Sequence, residues 1–175
     1  MPEISKDASI LIGISWQALG RAKSGNEVTK MADCTVALVF AGFYIEANLN
    51  QIVEATNKKQ EMLDFLDNKK PGLQDKLAWF YNSFATQSKI DSRKDFKKRK
   101  KNIYDLIRVK FPGFDEIYNF RNDISHGKID TSTANLSDAE KLRKQAKIIV
   151  DELFNLAEQA GYRIPRNTTY YDAIT

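Results

Sequence analysis

Apolar residues recur along most of the chain at intervals of three and four, the spacing that lines one side of a helix. The clearest stretch is 138–160. There Leu142, Ala146, Ile149, Leu153, Leu156 and Ala160 step by 4, 3, 4, 3 and 4 until Gly161 ends the pattern. That spacing is the seam of a helical bundle. Ser137 and Glu140 read as an S-x-x-E capping box at its start. A second long helix is expected over 27–56, and its middle, CTVALVFAGFYI, is apolar all round, as in a helix covered by several neighbours.

Three further helices follow from the same pattern: 73–87 (Leu73, Leu77, Phe80, Phe84), 93–110 (Phe96, Ile103, Ile107) and 114–126. Pro-Gly pairs at 71–72 and 112–113 mark breaks before two of them. Near the N-terminus Ile10, Ile12, Ile14 and Trp16 alternate like a strand, whereas Ile10, Leu11, Ile14 and Ala18 fit a helix. With no partner strand in view, the helix is preferred. The expected architecture is all-α: one domain over 1–175, a bundle of about five or six helices, with 1–26 and 165–175 peripheral.

Composition narrows the class. The lone cysteine, Cys34, lies in the apolar run, so no disulfide framework or cysteine zinc site is available. The start at Met1 has no basic segment leading into an apolar stretch and a cleavage site, and the longest nearly apolar run, 34–45, is shorter than the ~18 residues of a membrane span. These features predict a soluble, unprocessed cytoplasmic protein with no membrane partner.

The net charge of +4 is unevenly spread. RKDFKKRKK, residues 93–101, holds seven basic residues and one acidic, a local +6, which leaves −2 for the rest. Arg93, Lys94, Lys97, Lys98, Arg99, Lys100 and Lys101 are therefore candidate RNA-binding residues, since clustered cations attract a polyanion and release its counterions. A solvated helix face would read the same way.

Residues 118–129, YNFRNDISHGKI, contain the chain's only histidine. On a helical wheel at 100° per residue, Phe114, Phe120 and Ile124 fall within about 60° of Ile117 and form the face to be buried. Arg121 falls at about 40°, inside that face. A guanidinium does not deprotonate, so an acidic partner, a cleft or another subunit must compensate it. Ser125, Tyr118, Asn122 and His126 follow round the wheel as a polar stripe. Arg121 and His126 point about 140° apart and meet poorly within one chain. A two-fold axis beside this helix would supply one of each from either subunit. The plainer reading is a helix end, with His126 at the negative pole of the dipole and Gly127 taking the left-handed position.

An arginine, a polar residue directly after it and a histidine after four to six intervening residues, near the end of a late helix in a small all-α chain, resembles the HEPN superfamily. Here the pattern is Arg121-Asn122-Asp-Ile-Ser-His126, followed by one long closing helix. The resemblance implies a bundle that dimerises with its two motifs facing each other. Many members are metal-independent RNA endonucleases of toxin–antitoxin, phage-defence or RNA-processing systems, and others are inactive binding or dimerising modules. It further implies a polar or acidic residue on an earlier helix, for which Glu46 is the candidate, with Tyr118 and Ser125 as other accessory positions. The expected partners are RNA, a second copy of the chain, and an antitoxin or nucleotidyltransferase-like protein.

The chemistry suits these residue types. Cleavage through the RNA 2′-hydroxyl needs a base, an acid and a cation for the phosphorane. Histidine titrates near neutrality and arginine offers a fixed fork of donors to phosphate oxygens. Arg121, Asn122 and His126 are the expected catalytic residues, with no cofactor and no metal. No P-loop, G-x-G-x-x-G, H-E-x-x-H or G-x-S-x-G motif points elsewhere. The rival is a non-catalytic HEPN-like dimer that binds RNA, a nucleotide or a partner protein.

Overall fold

A computed structural model describes residues 7–85, 89–126, 128 and 134–166. Among the described residues there are seven helices and no strand: α1 (Asp7–Ser24), α2 (Glu27–Ala55), α3 (Lys59–Leu66), α4 (Leu73–Phe84), α5 (Arg93–Lys110), α6 (Phe114–Ser125) and α7 (Leu136–Gln159). The N-terminal segment is helical, and α2, α4, α5, α6 and α7 fall where the apolar periods put them.

α2 is the hub, packed against α1, α4, α6 and α7. Cys34, Ala37, Leu38, Ala41, Ile45, Leu49 and Ile52 are fully buried along it, facing Ala146, Ile149 and Leu153 of α7 and Phe114 and Ile117 of α6. By length and composition α2 could cross a membrane. Four packed neighbours make it instead the centre of the bundle. Burial also pushes the Cys34 thiol above its ordinary range, which disfavours the reactive thiolate.

The apolar stripes of α4 and α5 close the other side, with Leu77, Phe80, Phe96 and Ile107 among the most buried residues. α1 lies along α2, where the Ser15 hydroxyl donates to the Ala37 carbonyl at 2.7 Å and Ala18 and Ala22 have no exposed surface.

Two local expectations are corrected. α7 begins at Leu136, and its N-cap is Asn135, whose Oδ1 accepts from the Asp138 amide at 2.8 Å. Ser137 therefore lies inside the first turn, and no capping box with Glu140 forms; Glu140 pairs with Lys23 of α1. The second correction is α3, which no periodicity announces because its eight residues bury only Met62 fully. α3 ends at Asp67 in the left-handed conformation (φ 49°), a state that aspartate tolerates better than most residues. α4 ends at Phe84 with Ala85 as its C-cap, short of the expected end at 87; residues 86–87, Gly127 and the tail beyond 166 lie outside the described residues.

Candidate functional site

α6 positions the motif. It starts after Gly113, whose φ of 96° suits glycine and where a Cβ would come within 2.8 Å of a Leu142 methyl group. Phe114 and Ile117 are fully buried and anchor the helix, while Phe120 and Ile124 are half-buried at its margin. Arg121 stands one turn after Ile117 on the same face. α2 makes room for it at Gly42, where an added Cβ would lie 3.0 Å from Arg121 Cβ and 3.2 Å from its Cγ. Absence of a side chain at position 42 thus brings the two helices close enough for the guanidinium to reach Glu46, one turn further along α2.

The compensation demanded by the wheel is an acidic partner. Arg121 Nη2 donates to Glu46 Oε2, and Nη1 donates to Asn122 Oδ1 at 3.0 Å. The guanidinium carbon also sits 5.5 Å from the centre of the Phe43 ring, a cation–π distance. Glu46 uses its second oxygen for Lys76 of α4, with Nζ to Oε1 at 3.0 Å, and the same ammonium donates to Asn50 Oδ1 at 3.0 Å. The three charged side chains are 22%, 18% and 13% exposed for Arg121, Glu46 and Lys76, so the cluster is mostly buried while each member keeps some surface.

His126 is the C-cap of α6. Its backbone N–H donates to the Asn122 carbonyl at 2.9 Å, and the residue is exposed. The structure brings Arg121, Asn122 and Glu46 together. It leaves the imidazole at the helix end, outside the hydrogen bonds of that cluster among the described residues. Ser125 closes α6, and its side chain lies outside the described set. Tyr118 is half-buried with its ring nearly parallel to Phe114, 6.1 Å between centres, so its body packs against the core.

The basic run forms the first half of α5 and divides into two sets. Arg93 pairs with Asp67 at 2.5 Å, and Lys100 pairs with Asp75 in the first turn of α4. These two cations tie α5 down. Lys94, Lys97, Lys98, Arg99 and Lys101 are exposed. Measured round α5 from Arg93 at 100° per residue, Tyr104 falls at about 20°, Lys97 at about 40°, Arg108 at about 60° and Lys101 at about 80°. Tyr104 packs on Phe114 of α6 at 6.4 Å, and Arg108 pairs with Asp115 of α6 at 2.6 Å. Lys97 and Lys101 therefore flank the side of α5 that meets α6. Burial, then the neighbouring Tyr118 and Asp115, push the Tyr104 phenol well above its ordinary value.

Sequence reasoning missed Gly42, Asn50 and Lys76. Lys76 had a signal. On the α4 wheel it lies about 70° from the middle of the Leu73, Leu77, Phe80 and Phe84 stripe, a cation at the margin of an apolar face as Arg121 is on α6. Among the described residues no group of three or more His, Cys, Asp or Glu side chains could hold a metal ion.

A family model described as MAE_28990-like HEPN matches residues 25–164. The chain belongs to this HEPN family. The match begins beside the Asn26 cap of α2 and ends just after α7, so the HEPN unit is α2 to α7 with α1 laid along it. No curated protein and no solved structure matches the chain.

Proposed function

We propose that this HEPN protein is a metal-independent endoribonuclease of the cytoplasm, with a composite Arg121 and His126 site at a homodimer interface. The observation that carries the reading is a half-buried Arg121 oriented by Glu46 and Asn122, five residues before an exposed histidine that is the chain's only one. In the dimer each subunit supplies one imidazole. One takes the proton of the RNA 2′-hydroxyl as that oxygen bonds to phosphorus, and the other gives a proton to the departing 5′-oxygen. The products are a 2′,3′-cyclic phosphate and a 5′-hydroxyl. Arg121 stabilises the charge gathering on the phosphorane oxygens. The exposed lysines of α5 hold the flanking strand, and DNA resists for want of the 2′-hydroxyl.

The test is cleavage of mixed single-stranded RNA in EDTA. His126→Ala should slow it about 10²-fold or more, the scale of acid–base catalysis. Arg121→Ala should lose about 10²–10³, the scale of one lost charge-stabilising donor. RNA bound but never cut, or His126→Ala cutting as fast as the parent, would replace this reading with the non-catalytic HEPN module. A toxin–antitoxin or defence setting, with an antitoxin or nucleotidyltransferase-like partner, would follow from the same reading.

A further inference from the structure

Lys76 crosses from the first turn of α4 to α2 and ends in a position that a surface lysine seldom takes. Its side chain is only 13% exposed. Lysine ordinarily keeps its ammonium in water and buries only its stem. Here the head is drawn in by two acceptors, Glu46 Oε1 and Asn50 Oδ1, each at 3.0 Å. An ammonium has three hydrogens. Those two acceptors use two of them, and no further acceptor for Lys76 occurs among the described residues.

The other oxygen of Glu46 takes Arg121. One carboxylate therefore holds two cationic heads, one from α4 on Oε1 and one from α6 on Oε2. The residue before Lys76 points the same way. Asp75 anchors Lys100 of the basic run, so the first turn of α4 joins α5 on one side and the motif on the other.

We propose that Lys76 is a second phosphate-binding residue of the site, taking the RNA phosphate next to the one held by Arg121 and directing the strand toward Lys97 and Lys101. This rests on the ribonuclease reading above. Glu46 sets the distance between the two cations, and Asn50 steadies the ammonium without adding charge. A strand entering along α5 meets cations in the order α5, Lys76, Arg121.

The experiment uses the full chain carrying His126→Ala, which should bind without cutting, and a mixed-sequence single-stranded RNA oligonucleotide. Affinity is measured across a range of salt. Each phosphate contact contributes roughly 0.7 to the slope of log K against log salt for a single strand. Adding Lys76→Met should lower that slope by about 0.7, and Lys76→Arg should restore it. A folded Lys76→Met protein with an unchanged slope overturns the proposal and makes Lys76 a helix tie only. Cleavage by the parent would then still stand. A folded His126→Ala protein with no affinity for RNA overturns both readings. If Lys76→Met does not fold, the ε-methylene NMR signals of Lys76 in the His126→Ala protein decide: RNA should shift them, and unmoved signals overturn the proposal.

Discussion

Gly42 and Arg121 form a pair in which an absent side chain does as much as the one present. At 3.0 Å, a Cβ at position 42 would press on Arg121 Cβ, which is fixed to the backbone of α6 and cannot swing aside. Gly42→Ala therefore has to part the two helices. Overpacking of this kind costs about 1–3 kcal/mol, offset by up to ~1 kcal/mol from the better helix propensity of alanine. We expect a net loss of about 1–2 kcal/mol in a denaturant titration, together with slower RNA cleavage because Arg121 moves from Glu46. A variant as stable and active as the parent would show that the contact does not control the site. Wheel reasoning recovers Arg121 as an anomaly from sequence because a cation inside an apolar stripe is visible in one helix. It does not recover Gly42 or Asn50, whose roles exist only once α2 and α6, or α2 and α4, are side by side.

At the level of single helices, the ends are read less well than the middles. The period of α7 is set by six side chains, Leu142 to Ala160, and survives any one error, whereas its start depends on a single hydrogen bond that Asn135 and Ser137 could each make. Asn135→Ala should cost about 1 kcal/mol through the lost cap, while Ser137→Ala should stay within about 0.5 kcal/mol, both by thermal unfolding. Equal losses would reinstate the capping box. α3 escaped for the opposite reason: with one fully buried residue it has too short a stripe to show a period. The α5–α6 junction gives a further prediction, from Tyr104. Burial raises its phenol above the ordinary value of 10.0, so the folded state keeps a proton that the unfolded chain gives up. Stability is then fully present below pH ~10 and falls as pH rises beyond it, because the unfolded state binds fewer protons. Tyr81 of α4 is raised the same way. Absorbance at alkaline pH should show these two phenols ionising only with unfolding; early ionisation would contradict their burial.

For the molecule as a whole, the decisive quantity is its association state. One chain carries one histidine at the end of α6, so a two-histidine site needs a second copy. Light scattering should give a mass near twice the 20.0 kDa of the chain at micromolar concentration. A monomer would remove the composite site. The fold class was legible because the five segments that become α2, α4, α5, α6 and α7 carry helical apolar spacing, but pairing between copies leaves no such period in the sequence. The hub position of α2 has another consequence, for the order in which the chain is made. α2 is complete at Ala55 and α7, which covers one of its faces, at Gln159, a delay of 159 − 55 = 104 residues. At ~5–20 residues per second, that face stays uncovered on the ribosome for about 5–20 s. During that interval a helix that later lies at the centre of the bundle offers its apolar surface to chaperones, to membranes and to other nascent chains, with only α1 available from the outset to shield one side.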